Sequence, residues 1–136
     1  MMKDLKEVLR DEINIVKSLL NLLEEQHSYL VNQEVFNLDG IIHKIQEASK
    51  ALAAIESKRR NLVDNKPMSQ VIDNIRDEEL TNLHNEVLML LQEAEVQKDS
   101  NELLIKQSLS FTNSMLSMLK PKKEAPTYNG YGKLRK

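Results

Sequence analysis

The chain has no cysteine and no tryptophan, and only three glycines and three prolines in 136 residues. Without cysteine there can be no disulfide staple, thiolate zinc site or thiol nucleophile, which fits a reducing compartment. So little glycine leaves no phosphate-cradling loop, and no nucleophile elbow or His/Asp/Ser arrangement occurs. Aromatic content of 4% with few turn residues argues against β-sandwiches. Long apolar runs are missing as well. No window approaches the roughly 20 apolar residues of a membrane helix, and Met-Met-Lys-Asp-Leu-Lys-Glu at the start carries no apolar signal segment. A net charge of −2 gives no footprint for nucleic acid or anionic membrane. The expectation is a cytoplasmic, helical, non-enzymatic protein with no cofactor.

What the chain does have is heptads. Leu9, Val16, Leu23 and Leu30 recur every seven residues, flanked by Leu5, Val8, Ile13, Leu19, Leu20 and Leu22, and predict a helix over about 4–32. That stripe is wider than a two-stranded seam, so more than one neighbouring helix is expected to cover it. A second helix over about 35–64 carries Leu38, Ile45 and Leu52 in one heptad position and Ile41, Ala48, Ile55 and Leu62 in the other. Arg59 breaks the first set, and fraying of that helix end into solvent is its simplest reading. Gly40 costs this helix about 1 kcal/mol relative to alanine, with no reason visible in the sequence. Asn32-Gln33-Glu34 is too short for anything but a tight turn, which makes the two helices antiparallel. Pro67 ends the second helix, and Ser69-Gln-Val-Ile72 is read as one further helical turn with Ser69 as its N-cap.

The third long helix is predicted over about 77–119, with 3-4 spacing from Leu80 through Val87, Ala94, Gln97, Asn101, Leu104, Ser108 and Phe111 to Met118. Gln97, Asn101 and Ser108 are polar intrusions of the kind that fix register. The fold class is therefore all-α. Its expected architecture is an elongated, antiparallel, coiled-coil-like three-helix bundle over 1–120, with a short flexible tail at 121–136. At 1.5 Å per residue the third helix outruns the other two, overshooting the hairpin near residue 108. From Gln107 to Leu119 there is no Asp, Glu, Lys or Arg, in a chain that is 29% charged. Methionine and leucine dominate there, and unbranched methionine suits a surface that adapts to a foreign helix. The segment either binds a partner or packs on itself, as core or as a dimer interface.

Other signals point to ordinary structure. Glu24-x-x-His27 has di-iron spacing but lacks the second pair and further glutamates such a site needs, so His27 is read as a hydrogen-bonded seam histidine and no metal is expected. Asp73, Asp77, Glu78 and Glu79 are read as a solvated helix N-terminus, where the dipole favours carboxylates. The basic tail residues, Lys120, Lys122, Lys123, Lys133, Arg135 and Lys136, follow a helix C-terminus and are not assigned to nucleic acid.

The end of the chain is more distinctive. Asn101-x-x-Leu104, Gln107-Ser108-Leu109 and the Ser114–Leu119 end lead into Leu-Lys-Pro, then Pro126-Thr127-Tyr128-x-x-x-Gly132. With Leu38 through Ile45 to Arg59-Arg60, this resembles the FlgN family of flagellar type III export chaperones. The resemblance implies a cytoplasmic chaperone that binds the C-terminal helix of hook-associated (hook–filament junction) proteins. It would prevent their premature assembly or degradation and deliver them to the cytoplasmic domain of the export-gate membrane protein. It further implies substrate contacts at Leu104, Leu109, Phe111, Met115, Leu116, Met118 and Leu119, and export-gate docking at Tyr128. The alternative is a self-associating coiled-coil scaffold or adaptor with 107–119 as its dimer interface. A monomer or a weak homodimer that a partner helix dissolves fits the chaperone, and a tight dimer through this segment fits the scaffold.

Overall fold

The computed structural model describes residues 2–119, and every regular element among them is helical. α1 (Met2–Val31), α2 (Val35–Leu62), α3 (Met68–Ile75) and α4 (Glu78–Leu119) follow in order. The chain divides into two units, Met1–Ile105 and Lys106–Lys136.

In the first unit, the interior side of α1 is a 3-4 series: Leu5, Leu9, Glu12, Val16, Leu19, Leu23 and Gln26, all buried. Its first half meets Val63, the α3 residues Met68 and Val71, and Leu80 and Val87 of α4. Its second half meets Ala94, with Ile45, Ala48 and Leu52 of α2 packed alongside. α1 and α4 run parallel, because their contacts keep a nearly constant sequence separation. Lys6 bonds Asp77 and Glu79 across 71 and 73 residues, and His27 bonds Asn101 across 74. By the same measure Val31, the last residue of α1, lies level with Ile105.

Three helix ends leave through left-handed residues, and none is glycine: Gln33 (φ 58°) after α1, Asp64 (φ 55°) after α2 and Arg76 (φ 58°) after α3. At the first, Glu34 N–H donates to Tyr29 O at 2.9 Å and Gln33 N–H to Leu30 O at 3.3 Å, which closes the α1 C-terminus and reverses the chain.

Four sequence readings change. α3 is a full helix of 8 residues rather than one turn. Its cap is the extended residue Pro67, which makes no side-chain cap bond, and Ser69 lies inside it. The short Met68-x-x-Val71-Ile72-x-x-Ile75 stripe explains why: it buries Met68 and Val71 against α1. Arg59 does not fray. It turns inward, 18% exposed, and pairs at 3.6 Å with Glu12, which is 1% exposed. The acidic start of α4 is not simply solvated either. Asp77 Oδ1 accepts Leu80 N–H at 2.9 Å as an N-cap, and Lys6 and Arg10 clasp Glu79 at 3.0 and 2.6 Å. Finally, Ser108 is exposed and takes no part in an interior seam.

Asn101 closes the interior of the first unit. It is 1% exposed and makes four hydrogen bonds. Its Nδ2 donates to Leu23 O (2.8 Å) and Gln26 Oε1 (2.9 Å), and its Oδ1 accepts from Gln97 Nε2 and His27 Nδ1, each at 3.1 Å. Because Oδ1 is the acceptor, His27 carries its proton on Nδ1. The hydrogen-bonded seam histidine is thus as expected, and of the polar intrusions Asn101 is buried with Gln97 bonded to it.

Candidate partner-binding surface

Of the seven substrate-contact candidates, Leu104 alone belongs to the first unit, where it is half-buried. Leu109, Phe111, Met115, Leu116, Met118 and Leu119 share the end of α4 and are 45–83% exposed. The helix continues through them because no proline intervenes before Pro121, and leucine and methionine are good helix formers. At 3.6 residues per turn these six occupy an arc of about 180°. Ser110, Asn113, Ser114 and Ser117 make up the opposite side. The result is an amphipathic helix whose polar side carries no charge. Such a surface associates by burying apolar area, about 25 cal/mol per Å², and gains nothing from ion pairs. Tyr128 lies outside the described residues.

Sequence reasoning missed other exposed apolar side chains. Leu103 is 56% exposed, and Leu88, Met89 and Val96 lie open on α4 of the first unit. Phe36, with Val31 and Val35, stands beside the turn between α1 and α2, almost wholly in solvent at 96%. Their signal was present in the sequence as apolar residues off the seam heptads.

The polar interior offers a second place to look for chemistry. Glu12, Arg59 and His84 line a cleft of about 330 Å³ with Pro67, Met68 and Val87. Glu12 Oε1 is buried without a hydrogen-bond partner among the described residues. Burial pushes the Glu12 carboxyl above the ordinary carboxylate range; Arg59 opposes that shift and nearby Glu56 adds to it. Burial also holds His84 below the ordinary imidazole value, with Arg59 contributing. Among the described residues, no group of three or more His, Asp or Glu is arranged to hold a metal ion. There too, no helix is long and apolar enough to cross a membrane. The cleft is a buried ion pair within the packing, and the open apolar end of α4 is the better candidate for function.

The family model described as "FlgN protein" matches residues 1–136. No curated protein and no solved structure matches the chain.

Proposed function

Since this chain belongs to the FlgN family over its whole length, we propose that it is a cytoplasmic flagellar type III secretion chaperone that uses the end of α4 to hold the C-terminal helix of hook-associated proteins. The observation that carries this is the uncharged apolar arc at the end of α4, exposed at every residue from Gln107 to Leu119. Large open apolar surface is unusual on a folded chain unless something covers it. Export subunits present the same difficulty, because their assembly helices are amphipathic and must stay apart until secretion. A temporary helix–helix contact covers both stripes at once. An interface near 1,200 Å² suits a partner that must later be released.

In this reading Leu104, Leu109, Phe111, Met115, Leu116, Met118 and Leu119 seat the cargo helix. The first unit, with its helices associated as a coiled-coil-like bundle, presents them. Tyr128 serves a separate contact with the cytoplasmic domain of the export-gate membrane protein. No step is catalytic.

The test is calorimetric titration with the C-terminal helical segment of a hook-associated protein from the same genome. Binding is expected to survive truncation after Pro121 and to vanish on truncation after Gln107. It is also expected to change little with salt, since no charge lies on the arc. Failure of the full chain to bind any such segment would overturn the reading.

A further inference from the structure

In the first unit, α4 carries two rows at seven-residue steps. One is the buried series Val87, Ala94 and Asn101, which faces the interior. Two residues after each come Met89, Val96 and Leu103, turned about 200° from it and 58%, 64% and 56% exposed. A second apolar row, opposite the first, suits a second neighbouring helix. It is distinct from the arc at the end of α4, because its next two positions in step are Ser110 and Ser117, on the polar side.

Met89 and Val96 line a groove of about 410 Å³ together with Leu20 and Glu24 of α1; Gln92, Glu93 and Gln97 complete its lining. Leu20 is half-buried, and Glu24 and Glu93 are exposed. That lining holds two carboxylates and no cation. The helices on either side continue the pattern. α1 has no lysine or arginine between Ser18 and Val31, and α4 has none between Glu78 and Gln97, where it carries Glu78, Glu79, Glu86, Glu93 and Glu95. Lys6, Arg10 and Lys17 of α1 are already engaged with Asp77, Glu79 and Glu86. An apolar surface flanked by carboxylates disfavours nucleic acid and anionic lipid, and is complementary to an apolar face flanked by cations.

We propose that this groove docks a basic amphipathic helix of another protein. The apolar face of that helix lies on Leu20, Met89 and Val96 and extends to Leu103, while its lysines or arginines reach Glu24 and Glu93. The surface goes beyond the chaperone reading and does not rest on it. None of its residues is among the cargo contacts, so the chain can hold cargo and this second partner together.

Fluorescence anisotropy of the full chain with two labelled synthetic helices tests this. Each probe is about five turns long with leucine at 3-4 spacing; one has lysine at its remaining positions and the other glutamate. The wild type is expected to bind the lysine helix at least about tenfold more tightly than the glutamate helix, and less tightly as salt rises. Val96→Asp should weaken that binding about tenfold or more, and Glu24→Lys with Glu93→Lys should reverse the preference between the two helices. All three positions are exposed, so melting temperatures should hold. Met115→Asp with Leu116→Asp, in the arc, should leave lysine-helix binding in place. Failure of the wild type to bind the lysine helix, equal binding of both helices, or binding that survives Val96→Asp and the double reversal would each overturn the proposal. So would loss of hook-associated segment binding in Val96→Asp, since the groove would then belong to cargo. A wild type that binds no cargo but meets these expectations would overturn the chaperone reading and leave this proposal standing.

Discussion

Between Glu78 and Asn101, α4 buries Leu80, Val87, Ala94 and Asn101 at seven-residue steps; between Gln107 and Leu119 it buries nothing. The packed stretch carries charges on its free sides, among them Glu79, Glu86, Glu93 and Lys98. The open stretch, all of it in solvent, carries none. Exposure and polarity therefore run opposite to the usual rule within one helix. The packed part spends its polar residues where geometry demands them, with Asn101 fixing alignment and Glu79 tied to Lys6 and Arg10. The open part keeps an apolar arc that no other described residue covers. A face needed only for stability would be covered, and one needed only for solubility would be charged.

The largest effect should separate the two stretches directly. Leu80→Ala, at a wholly buried position, is expected to cost about 4 kcal/mol of unfolding free energy in urea. Phe111→Ala on the same helix should stay within about 0.5 kcal/mol. Equal losses would break the comparison.

Next comes Arg59→Leu, which leaves Glu12 buried without its cation and should cost about 3 kcal/mol near neutral pH. The folded pKa of Glu12 is raised, so its neutral form suits the fold. Its contribution is fully present below the unfolded value of 4.5 and is lost as pH rises through the raised value. Arg59 moderates that loss by favouring the ionised form. The penalty of the substitution should accordingly shrink below pH 4.5, which a pH series of urea melts would detect. A penalty independent of pH would mean that Arg59 acts by packing alone.

Asn101→Ala should cost about 2 kcal/mol by leaving Leu23 O, Gln26 and His27 unpaired in the interior. It should loosen α4 within the first unit without touching the apolar arc. Smallest is a gain. Gly40→Ala should add up to about 1 kcal/mol, since a Cβ there meets nothing within 4 Å. No change in melting temperature would point to a compensating strain in α2.

These residues also mark how far the sequence could be read. The three long helices were legible because their heptads are long and uninterrupted: α2 ends at Leu62 rather than near 64, and α4 begins at Glu78 rather than near 77. The lack of charge in 107–119 was legible from composition and its overhang from the length of the third helix, but neither told a free surface from a segment packed on its own chain. α3 was harder because eight residues give a stripe only two turns long. Arg59 was misread because its partner, Glu12, lies 47 positions away. A lone arginine at a seam position looks like fraying until the glutamate at an interior position of another helix is set beside it. The pairings between α1 and α4 had the same difficulty, because only the parallel alignment of the two helices sets Arg10 beside Glu79 and Lys17 beside Glu86.

That parallel alignment also has a consequence in time. The contacts joining α1 to α4 span 69 to 78 residues, whereas α1 reaches α2 through a three-residue turn. Hairpins close early and distant pairings late. At roughly 5–20 residues per second, about 4–15 s separate the synthesis of Leu23 from that of Asn101. Throughout that interval the α4-facing side of α1 waits bare on the ribosome. Released chains truncated before Glu78 should therefore be more readily degraded than released chains truncated after Gln107, in which α4 can cover α1.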